Sequence, residues 1–157
     1  MNVNKIQTGL WHIGIQDEKI RILRNVSFLD SGMVYGAYLM DAGAECILIG
    51  SVPKRYMDLV LDEAAGLAEN RPIRSAVFFG TADDAANAQI FSTRFPDAYV
   101  IAGTALLFQL KELGVLPGRT VEIRTNRTLK LGNREMTFCV LADRFETPCV
   151  LIFPRWV

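Results

Sequence analysis

The spacing of apolar positions changes character along the chain. Over the first fifty residues apolar side chains gather in short runs, at 10–15, 19–23, 34–40 and 45–49. β-Branched and aromatic residues fill these runs, and Ala42-Gly43-Ala44 separates the last two, which predicts short strands closing in a hairpin. Past Pro53 the period lengthens. Met57, Val60, Leu61, Ala64 and Ala68 recur three and four residues apart, while Lys54, Arg55, Asp58, Asp62, Glu63 and Glu69 fall largely elsewhere. That is the pattern of an amphipathic helix.

The middle of the chain alternates between the two periods. A compact apolar run at 75–79 follows Pro72 and stops at Gly80, and its length and Val-Phe-Phe content predict a buried strand. A helix is expected from about 84 to 94, broken by Phe95-Pro96-Asp97, with a further buried strand at 98–102. Thr104 is read as the cap of a third helix, with Leu106, Leu107, Leu110 and Leu113 facing the core and Gly114 ending it. From Thr120 strands return. Val121 and Ile123 alternate with charge, Gly132-Asn133 joins 128–131 to 134–141 in a tight hairpin, and 148–153 reads as a last buried strand. Strands, then helix, strand, helix, strand, helix, then strands again predict a mixed α/β domain with at least one helix-covered sheet.

Composition narrows the field of functions. With 157 residues, half of them hydrophobic and 22% charged, the chain can bury one sizeable core, and it is read as a single domain over 1–157. Seventeen basic residues balance seventeen acidic ones. No net field gathers nucleic acid or anionic lipid, so neither is expected as a partner. No run approaches the roughly 18 apolar residues of a membrane span, and a polar Met-Asn-Val-Asn-Lys start leads into no signal-like segment. A cytoplasmic location is the default expectation, and the sequons at Asn25 and Asn126 then carry no meaning. Cys46, Cys139 and Cys149 are odd in number and sit in apolar runs, which favours buried free thiols over a disulfide or a metal site. Gly32, Gly36 and Gly43 make no phosphate loop, and no serine lies in a Gly-x-Ser-x-Gly elbow. A single histidine, His12, makes a Ser/His or Cys/His couple improbable, and it reads as a partly exposed strand residue.

Three stretches in order resemble the metallo-β-lactamase-type domain of flavodiiron proteins. Tyr35-Gly36-Ala37-Tyr38-Leu39, followed by Cys46-Ile47-Leu48-Ile49-Gly50-Ser51-Val52, is similar to that family's paired strands reading YNAYLI and ALIDTV. The segment from Ser75 to Ala86 occupies the place of its strand and ligand loop, and Arg94-Phe95-Pro96-Asp97-Ala98 matches its RFPNA turn. Thr128-Leu129-Lys130-Leu131-Gly132-Asn133-Arg134 resembles TLDLGGK at the start of a hairpin. The resemblance covers residues 9–154 and implies an αββα sandwich, partial here and limited to about its first half, with mixed sheets and helices on the outer face.

The family loop reads His-x-Glu-x-Asp-His, because two adjacent metal ions need imidazole nitrogens and carboxylate oxygens converging from one turn. On the resemblance, those four places hold Gly80, Ala82, Asp84 and Ala85 here, three of them without a donor atom. The next family histidine aligns with Arg144, and the superfamily's strand-end aspartate with Gly50. Metal and catalytic residues are therefore expected to be absent. Asp83 and Asp84 are read chiefly as caps of the helix near Ala85, with a vestigial pocket formed by Asp83, Asp84 and Arg144 as the alternative.

Two functions follow from the resemblance. The first is a metal-free domain, without cofactor, that works by binding or assembly. The second is a fragment or subunit of a flavodiiron-type oxygen or nitric oxide reductase, with diiron and FMN supplied by a partner or a missing region. A hydrolase of the wider superfamily needs the same histidine-rich loop and falls with it. Half a sandwich would expose an apolar sheet face, so a second copy or a partner polypeptide is expected to cover it, unless the N-terminal strands fold back over it.

Overall fold

The computed structural model describes all residues except 20–21, 24–26, 29–31, 115–117, 142–148 and 157. The chain runs β1 (Asn2–Gln7), β2 (Leu10–Asp17), β3 (Ile22–Leu23), β4 (Ser27–Phe28), β5 (Met33–Asp41) and β6 (Cys46–Ile49), then a 3-10 turn at Lys54–Tyr56. It continues through α1 (Met57–Leu67), β7 (Ile73–Phe78), α2 (Asp84–Arg94), β8 (Tyr99–Ala102), α3 (Thr104–Glu112) and β9 (Thr120–Glu122). β10 (Thr128–Leu131), β11 (Arg134–Leu141) and β12 (Cys149–Trp156) close the order.

A seven-stranded sheet in the order β1-β2-β5-β6-β7-β8-β9 forms the centre. Its first four strands pair antiparallel and β6 to β9 pair parallel. The parallel half follows from chemistry already visible in the chain, since each strand is followed by a helix that must carry it back to the same end. All three helices lie on one face. Met57, Val60, Leu61 and Ala64 of α1, Ala88 and Phe91 of α2, and Leu106 and Leu110 of α3 pack on Ile13, Leu39, Leu48, Phe78 and Val100.

Strand alternation sends the intervening residues to the other face, where a second core forms. Met40, Ile47, Val77 and Ile101 meet Met136 and Phe138 of β11, with Leu129 and Leu131 of β10 against them. The three-stranded antiparallel sheet β10-β11-β12 thus covers part of the large one. The junction is specific. The Asn133 amide donates to the Ala42 carbonyl at 3.0 Å, and Arg134 Nε donates to the Asp41 carbonyl at 2.8 Å. Gly132 has φ +57°, and a Cβ there would stand 2.2 Å from the Ala42 oxygen, so only glycine allows the two hairpins to touch.

The predicted α/β partial sandwich is the observed one: helices, large sheet and small sheet make three layers among the described residues. Several local expectations change. The polar N-terminal segment forms edge strand β1, because its amides pair with β2 although all six residues stay exposed. The N-terminal strands β1, β2 and β5 lie in the large sheet instead of folding over it, and β10–β12 supply the cover. Gly103, not Thr104, precedes α3 as its cap residue, and the Thr104 hydroxyl donates to Glu122 Oε1 at 2.5 Å. Leu113 lies past the helix and is exposed. Cys46 is a buried free thiol and Cys139 a half-buried one, while the Cys149 side chain falls outside the described part.

Candidate functional site

Parallel strands deliver their C-terminal ends to one edge of a sheet, and the loops that leave them form the usual crevice of α/β folds. Here β6 leaves through Gly50 to Pro53 and β7 through Phe79 to Asp83. Both exits need a left-handed residue and both have glycine, with φ +81° at Gly50 and +89° at Gly80. Between the two loops lies a cleft of about 220 Å³, walled by Tyr35, Ser51, Pro53, Thr81, Ala82 and Asp83.

The floor of this crevice is a hydrogen-bond network centred on Asp84. Its carboxylate, 1% exposed, accepts the Gly80 and Thr81 amides at 2.8 Å each and the Ser51 hydroxyl. A buried charge is tolerated when several donors face it, and this one also starts α2, where the positive end of the helix favours an anion. Asp83 lies at the surface and accepts the Lys54 amide at 3.3 Å. Asn87, fully buried, donates through Nδ2 to the Val52 carbonyl at 2.8 Å. Its Oδ1 has no hydrogen-bond partner among the described residues.

A second clamp fixes the β6 loop from the side. Asp17, buried at the end of β2, accepts from the Arg55 guanidinium, from the Tyr56 hydroxyl at 2.9 Å and from the Lys19 amide at 3.0 Å. The Arg55 bond, followed by those from Tyr56 and Lys19, outweighs burial and holds the Asp17 carboxyl below its ordinary value. Arg55 also stacks over the Tyr56 ring, 4.7 Å from its centre.

The expected site residues are partly brought together. Gly80, Ala82, Asp83, Asp84 and Ala85 share one turn, and Gly50 lies on the neighbouring loop. Neither Asp83 nor Asp84 caps α2 with its side chain, contrary to expectation, because the Asp84 carboxylate turns back toward the loop amides that precede it. The expected place of Arg144 lies outside the described residues. His12 stands apart from the cleft lining, on the face of β2 opposite the helices. Its ring lies over Gly36, where a Cβ would fall 2.1 Å from Nε2, and 5.0 Å from the Tyr38 ring.

Ser51 and Asn87 escaped the sequence reading. Asn87 had a signal, since it shares the inward stripe of α2 with Ala88 and Phe91. Ser51 had none, because its partner is 33 residues away. Among the described residues, no three of His, Cys, Asp and Glu stand close enough to share a metal ion.

No family model and no curated protein matches this sequence. Solved structures do resemble the fold. A flavo di-iron protein from Thermotoga maritima superposes with a TM-score of 0.80 at 16% identity, over 97% of this chain and 39% of that one. The flavodiiron protein from Giardia intestinalis gives 0.79 at 20% identity, over 97% and 38%. A metallo-β-lactamase from Pontibacter korlensis gives 0.70 at 14% identity, over 97% and 66%. This chain therefore spans about two fifths of the flavodiiron chains it matches.

Proposed function

From the premise that this chain has the metallo-β-lactamase fold seen in flavodiiron proteins, we propose that it is a metal-free, non-catalytic form of that domain, acting in binding or assembly. One observation supports the reading: three of the four places that the resemblance assigns to metal ligands in the turn after β7 hold residues without a donor atom. Gly80, Ala82 and Ala85 carry no ligating atom, and the one carboxylate that the resemblance places in the ligand loop, Asp84, is buried and engaged by Ser51, Gly80 and Thr81. A divalent ion of the dinuclear type needs several imidazole or carboxylate ligands per metal. The residues here do not fit one.

The proposed partner is argued from a part of the large sheet left exposed among the described residues. On the face opposite the helices, Val34 and Tyr38 of β5 are 63% and 41% exposed, beside the paired glycines Gly14 and Gly36. A second copy of the chain or another polypeptide is the proposed cover. A cytoplasmic location is part of the same proposal; among the described residues no helix is long and apolar enough to cross a membrane. A vestigial pocket for a small polar ligand would draw on Asp83 and Asp84 at the turn after β7, Arg144 lying outside the described residues.

The reading is tested by purifying the chain without chelators and measuring iron, zinc and manganese. Metal well below one ion per chain is expected, and one or two ions per chain would sink the proposal. A second reading, a piece or subunit of a flavodiiron-type reductase, draws on the short span of this chain against those relatives. In that case diiron and FMN come from elsewhere, and a complex purified with its natural partners shows flavin and iron absorption.

A further inference from the structure

At the end of the sheet opposite the strand-exit loops, a cleft of about 420 Å³ opens between the start of β7 and the turn after α2. Its volume falls in the range of roughly 300–1,000 Å³ typical of small-molecule sites. Three arginines, Arg71, Arg74 and Arg94, are among its lining residues, with Asp97 the one carboxylate. Phe95 and Pro96 add apolar surface.

Two of the arginines are held in place by partners that leave donors over. Arg71 gives Nε to the Ala68 carbonyl at 3.0 Å and one terminal nitrogen to Asp41 at 2.7 Å. The first of these bonds also covers a carbonyl at the end of α1 that would otherwise oppose an anion. Arg94 gives one terminal nitrogen to Asp62 at 2.5 Å. A guanidinium has five N–H donors, so each keeps donors beyond these bonds. Arg74, on β7, is exposed, and its side chain makes no hydrogen bond or ion pair with a described residue. Asp97 is drawn outward, 75% exposed and 3.8 Å from Arg119.

We infer that this cleft binds a small phosphomonoester, with Arg71, Arg74 and Arg94 on the phosphate and the organic body against Phe95 and Pro96. Three planar donor groups suit the three oxygens of a terminal phosphate better than the two of a carboxylate. The inference is independent of the metal-free reading, because none of these residues belongs to the strand-exit loops.

Calorimetric titration of the purified chain with phenyl phosphate, inorganic phosphate and phenol, together with amide NMR shifts, tests it. Saturable binding of phenyl phosphate is expected, tighter than that of inorganic phosphate, with phenol inert and with shifts confined to residues 70–74 and 94–98. Arg74→Ala should weaken binding by about tenfold or more, the weight of a charge-assisted bond. Arg74→Lys, which keeps the charge and stem, should fall between. Arg155→Ala, at an exposed arginine of β12 outside the cleft lining, should leave affinity unchanged. Absence of saturable binding would overturn the inference, as would equal losses in Arg74→Ala and Arg155→Ala, or shifts centred on residues 80–84.

Discussion

Asp84 shows how one side chain can bind two loops together. Its carboxylate joins the β7 exit to Ser51 of the β6 exit, and both loop amides it accepts would be left without that acceptor if it were removed. Asp84→Ala should therefore lower stability by roughly 2–4 kcal/mol, read by urea unfolding, and a change under 1 kcal/mol would refute this role. Gly50 bears on the same crevice from the other side. The resemblance puts an aspartate there, yet the backbone is left-handed at φ +81°, where a side chain is strained. Gly50→Asp should destabilise by about 1–2 kcal/mol, measured in the same way, and should not recruit a metal. Both substitutions concern residues whose identity was legible in the chain. The direction in which the Asp84 carboxylate points was not, because it depends on amides placed by the left-handed turn at Gly80 and on Ser51 arriving from a different strand.

At the scale of elements, helices and strands followed the apolar periods closely where the period was strong. α2 spans the expected 84–94, and the β10–β11 hairpin turns at Gly132-Asn133 as read. Edge strand β1 escaped notice since an exposed strand has no buried face to impose alternation. Thr104 misled for a related reason: its hydroxyl has a carboxylate from β9 within reach and bonds it in preference to the helix amides. The small sheet is attached chiefly by buried apolar contact, and Phe138, fully buried at the centre of the second core, is its main anchor. Phe138→Ala should lower stability by roughly 3–5 kcal/mol and raise hydrogen exchange first in β10 and β11. Loss of protection confined to the helices would contradict that attachment.

For the molecule as a whole, acid should act through the carboxylates that fasten one element to another. The Asp17 carboxyl is lowered in the fold by the Arg55 guanidinium first, then by Tyr56 and Lys19. Its folded value lies below its unfolded one, so the stabilisation is complete above the ordinary value of 3.8 and is lost as pH falls through the lower folded value. The stability gap between wild type and Asp17→Asn should then be constant from neutral pH to about pH 5 and shrink below pH 4, followed by denaturant unfolding at each pH. A gap that stays constant through pH 3 would exclude this linkage. The sequence alone determined which residues are apolar at which spacing, and so the α/β class, the helices and most strands. It also determined that Gly80, Ala82 and Ala85 offer no side-chain donor, because ligating atoms are a property of residue type. Only the tertiary structure decided that β10–β12 cover the second face, that Ser51 and Asn87 join the strand-exit loops, and that Arg94 of α2 shares a cleft with Arg71 and Arg74 at the start of β7. Those are matters of distance between residues far apart in the chain, which local periodicity does not encode.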